Sequence, residues 1–319
     1  MYLLKRLALM IPLLLFISLL AFVLVRVAPG GPFDRERAPA SPEIERALKA
    51  RFHLDEPLWK QFLRYLGVGW EVQNGKVRFF DGGLIRGDLG PSLKYRNHSV
   101  NDIIAQGLPV SLTLGALAFC FAAGIGIPLG AYTAIRKGFW DEYAGSFLAL
   151  LCVCIPALIV GPLLIVGFAI HLQWFPVALW GSPLHAVLPT ITLGLFFAGR
   201  ISRLMREGML QTLRADFIRT ARAKGLSEIG VLWKHAFPLA VLPVVSYSGP
   251  LLADLLTGSF VVESIFQIPG IGVSMVNSSL NKDYTVAVGL VVLYAALLLG
   301  MNLAVDIAYR WLDPRVRYE

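Results

Sequence analysis

Very few side chains in this 319-residue chain stand in spacings that could catalyse a reaction. The sequence contains no Gly-x4-Gly-Lys-[Ser/Thr] loop to hold the phosphates of ATP, so we do not expect the chain itself to hydrolyse ATP. It also lacks the His-Glu-x-x-His zinc motif and the Gly-x-Ser-x-Gly turn that presents a nucleophilic serine. We therefore predict no catalytic residue and no metal site. A membrane enzyme with a dispersed site is an alternative, but the cluster of catalytic groups that it needs is not found.

Ionisable side chains inside apolar runs are the first candidates for function, because burying a charge in a membrane is costly and usually serves a purpose. Asp254 lies well inside the apolar run from Ala240 to Val262. Its carboxylate could face a water-filled path or pair with a polar group of a neighbouring subunit, and the sequence favours neither. Three residues are the candidates for a path through the membrane: Tyr247, Asp254 and Glu263.

The second candidate is the basic, amphipathic passage from Ala215 to Pro243, in a half of the chain that is otherwise apolar. Good helix formers run to Lys224, and Gly225 can take the left-handed conformation that ends a helix. Ser227 is a typical N-cap for a second helix. Three apolar residues share one face of that helix: Ile229, Leu232 and Trp233. We predict two short helices joined by a bend.

Such a segment can have several partners. A positive loop can serve only to fix membrane topology, or it can bind anionic lipids. Two helices bent at a glycine also describe a DNA-binding helix-turn-helix. Short connections to apolar runs on both sides argue against nucleic acid. Lipid binding accounts for the charge but not for the apolar face, which favours docking on a protein surface.

The amino-acid composition indicates that these candidate residues belong to a membrane protein. Hydrophobic residues make up 56% of the chain and charged residues 16%, which is far too apolar for an ordinary soluble domain. The net charge of +8 has the same origin, since Lys and Arg collect in the cytoplasmic loops of membrane proteins. Six runs are long and apolar enough for transmembrane helices: 7–25, 103–135, two within 143–199, 240–262 and 284–305. We predict an all-α polytopic membrane protein.

Residues 29–102 are polar and are predicted to form a small external α+β lobe between the first two membrane helices. Ser41-Pro42 begins a helix as N-cap and first residue, and another helix is expected from near Asp55. Asn74-Gly75, between two short alternating segments, is the strongest short signal for a tight hairpin. The role of this hairpin is open.

The chain is thereby divided into a first membrane helix, residues 1–28, the lobe, residues 29–102, and a five-helix core, residues 103–319, with a cytoplasmic loop at about 206–238. Cations orient these parts, because the short segments on one side hold many of them and the short segments on the other hold only Lys282. We predict that both termini and the basic loop are cytoplasmic and that the lobe is external.

The basic segment resembles the cytoplasmic loop of membrane subunits of ATP-binding-cassette (ABC) importers. That loop reads Glu-Ala-Ala, three residues, Gly, nine residues, Ile, one residue, Leu-Pro. Gly225 and Pro238 match its glycine and proline, whereas Arg219, His235 and Phe237 replace its Glu, Ile and Leu. The version Arg-Thr-Ala-Arg-Ala-Lys-Gly-Leu, followed by His-Ala, is similar to the peptide-importer branch.

Other short motifs extend the resemblance over nearly the whole chain. They are Ala28-Pro29-Gly30, Gly87-Asp88-Leu89-Gly90 with Ser92, Glu263 with Phe266, Ile268-Pro269-Gly270-Ile271-Gly272, and Asp313-Pro314-Arg315. No single motif decides the matter, but their order and spacing are specific. The chain is most similar to the first membrane subunit of an oligopeptide permease, within the oligopeptide/dipeptide permease family.

The resemblance implies the type I ABC importer fold and a role in peptide uptake across a bacterial cytoplasmic (inner) membrane by alternating access. It implies as partners a second, homologous membrane permease subunit, two cytoplasmic ATP-binding subunits and an extracytoplasmic peptide-binding protein, besides membrane lipid. ATP and Mg²⁺ would be bound by the ATP-binding subunits, and no cofactor by this chain. The residues expected to couple to the ATPase are Arg219, Thr220, Ala221, Ala223, Lys224, Gly225, Leu226, Ser227 and His235.

Several alternatives stay open at this point. Similar importers carry glutathione, chelated nickel or peptide antibiotics, so this chain alone does not name the cargo. Whether the two ATP-binding subunits are identical or different is equally open. A self-sufficient channel or ion-coupled carrier would need no ATPase, but the sequence offers only sparse intramembrane charge for ion coupling.

Overall fold

The computed structural model describes residues 2–28, 42–73, 76–80, 82–95 and 97–312, which are predominantly helical. The elements before residue 140 are α1 (Tyr2–Val27), α2 (Pro42–Arg51), α3 (Leu58–Leu66), β1 (Trp70–Gln73), β2 (Lys76–Phe79), a 3-10 turn (Leu84–Arg86) and α4 (Val100–Ile135). The elements from residue 140 onward are α5 (Trp140–Cys154), α6 (Ala157–Leu164), a π-helical segment (Ile165–His171), α7 (Pro183–Thr212), α8 (Asp216–Ala223), α9 (Glu228–Gly230), a second π-helical segment (Val231–Ala236), α10 (Phe237–Ala240), α11 (Leu242–Leu256), α12 (Phe260–Ile265), α13 (Ile271–Leu280) and α14 (Tyr284–Leu312).

The long apolar helices agree with the predicted membrane runs. Among the described residues, five helices are long and apolar enough to cross a membrane: Arg6–Val27, Val100–Ile135, Pro183–Thr212, Leu242–Ile265 and Tyr284–Ala308. A further pair, α5 with α6 and its π-helical extension, bends by 100° and makes a sixth span if it is counted as one. The uncharged run 143–199 therefore holds this bent pair and most of α7. Helix α7 continues beyond that run to Thr212, into the basic segment.

The lobe contains the predicted hairpin. Strands β1 and β2 pair antiparallel, with Trp70 opposite Phe79 and Val72 opposite Val77, while the Asn74-Gly75 turn lies outside the described residues. Helix α3 begins at Leu58, three residues later than expected, because Pro57 disfavours helical backbone in the residue before it. Helix α2 begins at Pro42 as predicted, but Ser41 lies outside the described residues.

The chain divides into two compact units, which differ from the predicted domains. The first comprises Met1–Leu108 and Ile271–Ala296, and the second Pro109–Gly270 and Leu297–Glu319. In the first unit, Phe22 of α1 packs edge-on against Phe62 of α3, with ring centroids 5.2 Å apart. Val288 and Val292 of α14 complete this cluster. The residues of the lobe thus share a core with the ends of two membrane helices.

Helix α7 runs through the core of the second unit. Ile201 and Met205 on this helix are completely buried. Gly126 and Gly130 of α4 face the α7 backbone so closely that a Cβ atom at Gly126 would lie 2.6 Å from the carbonyl oxygen of Ala198. Small residues four apart are the usual means by which two membrane helices approach to backbone contact. The segments that follow α7 are therefore attached to a rigid helix pair.

A buried carboxylate ties the Gly-Asp-Leu-Gly region to α14 within the first unit. Asp283 is completely buried and precedes Tyr284, where its Oδ1 accepts the backbone N–H of Val286 at 3.4 Å as an N-cap. The same carboxylate accepts the hydroxyl of Ser92 and the backbone N–H groups of Leu93, at 3.1 Å, and Lys94, at 3.3 Å. One side chain thus satisfies donors from two distant parts of the chain.

We expect Asp283→Ala to destabilise the protein more than removal of an ordinary helix cap does. The substitution removes the acceptor of the buried Ser92 hydroxyl and of the backbone N–H groups of Leu93 and Val286, at a cost of about 2–4 kcal/mol. The matched control is Ser99→Ala, which removes the exposed cap of α4 on the Asp102 N–H and should cost about 1 kcal/mol. Thermal unfolding of the full chain in detergent, followed by tryptophan fluorescence, measures both. Equal losses for the two variants would contradict a special role of Asp283.

Candidate functional site

The basic segment is a folded structure attached to the second unit. Ile218 of α8 is completely buried and Ala221 nearly so, and both belong to one core cluster with Met205 and Met209 of α7. Val231, at the start of the second π-helical segment, is buried in the same cluster. Apolar anchors three residues apart hold one face of α8 against the core, which leaves its basic face exposed.

The bend after α8 has the geometry that its sequence predicts. Gly225 has φ +76° and donates its N–H to the carbonyl of Arg222 at 2.9 Å, while Leu226 donates to Ala221 at 3.4 Å. These two bonds make a Schellman motif, which favours glycine because its backbone is left-handed. Ser227 then caps the next helix, where its hydroxyl oxygen accepts the N–H of Gly230 at 3.3 Å.

An ion pair spans the bend. Arg222 of α8 donates to both carboxylate oxygens of Glu228, from Nε to Oε1 at 2.9 Å and from Nη2 to Oε2 at 3.1 Å. A bidentate pair restrains the angle between two elements more strongly than a single contact does. Both side chains are partly exposed, so we regard this pair as a restraint on geometry and not as a large source of stability.

The predicted apolar face is exposed beyond the bend. Leu226, Ile229 and Trp233 form what we call the apolar knob, with 45%, 72% and 66% of their surfaces exposed. The indole of Trp233 is supported by the ring of Phe237, whose centroid lies 5.0 Å away. Leu232 was predicted on the same face but is partly buried against the core. An exposed set of large apolar side chains outside the membrane spans is typical of a protein contact surface.

The nine predicted coupling residues lie on one continuous segment, and seven of them are exposed. Ala221 is buried and His235 half-buried, so these two support the segment from behind. The exposed residues are Arg219, Thr220, Ala223, Lys224, Gly225, Leu226 and Ser227. The segment therefore presents a basic edge next to the apolar knob.

The three predicted path residues occupy different environments in the second unit. Tyr247 is half-buried, and the guanidinium carbon of Arg200 lies 5.2 Å from the centre of its ring. Asp254 is exposed on α11. Glu263 is completely buried, and its Oε1 accepts the hydroxyl of Ser111 at 2.8 Å. Its carboxylate also fills the space beside Gly270, where any Cβ atom would collide with it. Glu263 therefore orders the Ile268-Pro269-Gly270 turn from within the protein.

One charged pair in this unit was not predicted from the sequence. Glu142 of α5 pairs with Arg206 of α7 and also accepts the N–H of Gly138 in the preceding loop. Glu142 and Arg206 are 64 positions apart in the sequence, so no local pattern predicts that they pair. The only local signal is the basic loop Arg136-Lys137-Gly138, which precedes α5. The pair fixes the α4–α5 loop to α7. This helix leads into the segment with the nine predicted coupling residues, residues 219–235, which we call the coupling segment.

A family described as binding-protein-dependent transport system inner membrane component matches residues 126–318. The chain belongs to this family. It is thus a multi-pass inner membrane component of a transport system, and the matched residues include the coupling segment and all three predicted path residues.

Relatives in this family cover almost the full length of the chain. The oligopeptide transport system permease protein OppB of Haemophilus influenzae is 40% identical over 320 residues, which is 99% of each chain. The dipeptide transport system permease protein DppB of Bacillus subtilis is 42% identical over 316 residues, 99% of this chain and 97% of its own. OppB of Escherichia coli K12 is 39% identical over 319 residues, again 99% of each chain. These matches confirm the resemblance that the motifs indicated.

Solved structures agree on the fold. The inward-facing MetNI methionine ABC transporter matches with a TM-score of 0.55 at 20% identity, over 66% of this chain and 96% of that one. A second crystal form of MetNI gives a TM-score of 0.56 at 18% identity, with the same coverage. This chain therefore has the type I ABC importer fold that the resemblance implied.

Proposed function

We propose that this chain forms half of the translocation path of a peptide importer, which takes up oligopeptides or dipeptides. Its relatives are oligopeptide and dipeptide permeases that align over at least 97% of their own length at about 40% identity, and this observation carries the proposal. A second, homologous membrane subunit forms the other half of the path. An extracytoplasmic peptide-binding protein delivers the cargo, and two cytoplasmic subunits bind and hydrolyse MgATP.

The coupling segment supplies the contact with an ATP-binding subunit. Its apolar knob enters a groove on that subunit, and its basic edge lies along the rim, where charges add specificity more than affinity. Because Ile218 and Val231 anchor the segment in the core around α7, a movement of the knob is passed to the membrane helices. A nucleotide-driven closure can shift the permease between its states only through such differential contacts.

The path through the membrane runs along the exposed face of α11. Asp254 and Tyr247 lie seven residues apart, which is two helical turns, so they share this face. A carboxylate that faced lipid hydrocarbon would cost roughly 3 kcal/mol, so the exposed Asp254 favours a polar surrounding. We assign it to the water-filled path. Glu263 acts behind the path, where it holds the turn at residues 268–270.

Replacing Asp254 separates the two roles that the sequence left open. We expect Asp254→Asn, which removes the charge and keeps the size, to assemble normally and to lower peptide uptake roughly tenfold, because a charged hydrogen-bond acceptor is lost from the path. Asp254→Glu is the matched control and should retain most of the uptake. Loss of the second membrane subunit during purification of Asp254→Asn would instead assign Asp254 to subunit pairing.

The orientation completes the proposal. Both termini and the coupling segment face the cytoplasm, and the lobe faces the outside, where it meets the loaded binding protein. The distribution of Lys and Arg among the short loops supports this arrangement.

Purification of the tagged chain from its native membrane in mild detergent tests the proposal. We expect a second membrane permease subunit and ATP-binding subunits to come with it, together with ATPase activity that a loaded peptide-binding protein stimulates. Stimulation by nickel chelates or glutathione, and not by peptides, would change the cargo. Recovery of the chain alone, without ATPase activity, would favour a self-sufficient channel or carrier.

A further inference from the structure

The first unit contains a cavity of about 240 Å³ beside the end of α1. Its walls come from α1, from the α2–α3 connection, from α3 and from the Gly-Asp-Leu-Gly region. A cavity of this size holds several waters or one small polar group. Its apolar walls include Phe52 and Phe80, so the space is amphipathic.

Three arginines line this cavity, Arg26, Arg51 and Arg64, whereas Asp88 is the single acid among its described lining residues. Arg64 is engaged by Glu56, whose Oε1 lies 3.1 Å from its Nη2. Partial burial alone would raise the pKa of Glu56, but hydrogen bonds from Lys60 and Arg64 outweigh it and lower that pKa. Glu56 is therefore ionised at neutral pH, and it neutralises one of the three arginines.

Arg26 has no such partner. Along the part of the chain that the structure describes, no carboxylate lies within 4 Å of its guanidinium. Its side chain is half-buried, with its Cζ 3.4 Å above the ring of Phe22 and its Nε donating to Gln61 Oε1 at 2.9 Å. A half-buried, unpaired charge is costly unless an anion compensates it.

A second donor in the same wall also lacks a partner. The hydroxyl of Tyr65 is buried and has no hydrogen-bond acceptor among the described residues. Burial raises the pKa of Tyr65, so its hydroxyl is protonated at neutral pH and able to donate. A buried donor without an acceptor loses the free energy of its hydrogen bond to water. Within the described ranges, the cavity thus combines a positive charge that no carboxylate neutralises with a hydroxyl donor that has no acceptor.

We propose that this cavity binds the phosphate group of an anionic phospholipid. A phosphate oxygen supplies the missing charge for Arg26 and the missing acceptor for Tyr65, and guanidinium groups suit phosphate geometry. Arg26 lies in the last turn of the first candidate membrane span, and the end of a span is where lipid headgroups are expected. The lobe also exposes Trp59 and Trp70, by 66% and 63%, and such aromatic residues favour the membrane interface.

Lipid binding to the full-length chain tests this inference. The purified protein is titrated with phosphatidylglycerol in a phosphatidylcholine nanodisc and, separately, with inorganic phosphate in a nanodisc of phosphatidylcholine alone. Native mass spectrometry and thermal unfolding report the binding. We expect phosphatidylglycerol to bind and to stabilise the protein, and inorganic phosphate at the same concentration to do neither.

Three variants define the site. Arg26→Gln should weaken phosphatidylglycerol binding about tenfold or more, and Tyr65→Phe, which removes one oxygen and keeps the ring packing, should weaken it several-fold. Arg46→Gln removes an exposed arginine of α2 that does not line the cavity, and it should bind as the original chain does. Unchanged binding in both Arg26→Gln and Tyr65→Phe would overturn the site. Binding of inorganic phosphate that depends on Arg26 and Tyr65, with no preference for the lipid, would overturn the lipid as its occupant.

Discussion

Replacement of Ile229 by Glu should separate the permease from its ATP-binding subunits. Ile229 is the most exposed residue of the apolar knob, at 72%, so the charged side chain meets water in the isolated chain and does not disturb its fold. In the complex, the same carboxylate would be buried without a partner in an apolar groove. Central apolar contacts of this kind contribute more than 2 kcal/mol, so binding should weaken by about 30-fold or more. Co-purification of the ATP-binding subunits measures the loss.

A matched substitution in the lobe controls for surface charge. Ile85 is 66% exposed, and Ile85→Glu adds the same charge at a site that the proposal places on the other side of the membrane. We expect this variant to retain its ATP-binding subunits and its uptake. If Ile229→Glu and Ile85→Glu both retained the subunits, the apolar knob would not be the docking surface.

The coupling segment could be predicted in detail because its signals are local. The bend is made by hydrogen bonds between residues three or five positions apart, and it needs only a glycine after α8 and a serine to cap the next helix. The exposed positions of Ile229 and Trp233 follow from the helical period once Val231 faces the core. The burial of Leu232 could not be read from the same pattern, since it depends on what lies behind the segment.

The polar contacts that order the rest of the chain could not be predicted, because they join distant residues. Asp283 and Ser92 are separated by 191 positions, and Glu263 and Ser111 by 152. The motifs that contain Ser92 and Glu263 were visible, but a motif does not say which partner a side chain will have. Glu263 was a candidate for the path, and the structure places it in the interior, where it accepts the hydroxyl of Ser111.

The extent of α7 shows a similar limit of sequence patterns. The uncharged run ends at Gly199, and the prediction placed the cytoplasmic loop soon after it, at about residue 206. The helix continues to Thr212 because Met205 and Met209 keep an apolar face buried, while Arg203 and Arg206 lie on other faces. The continuity matters for function, since it joins the coupling segment directly to a helix packed through the second unit.

Replacement of Gly225 by Val should uncouple ATP hydrolysis from peptide uptake while the complex still assembles. The Cβ atom at this position would meet nothing within 4 Å, so the cost is conformational and not steric. A β-branched residue at φ +76° is strained by about 1–2 kcal/mol, and the strain is relieved if the bend between α8 and α9 opens. The anchors Ile218 and Val231 keep the segment folded, but the apolar knob changes its direction relative to α8.

Reconstituted complexes measure this effect as peptide taken up per ATP hydrolysed. We expect that ratio to fall roughly tenfold in Gly225→Val. In Gly225→Asn the ratio should stay close to that of the unsubstituted chain, because asparagine tolerates the left-handed conformation. Gly138→Val is the matched control, since Gly138 also has a positive φ, +88°, and open space around it, but lies in the other basic loop. An equal fall for Gly138→Val would show a general effect of strained loops. Unchanged uptake in Gly225→Val would remove the bend from the coupling mechanism.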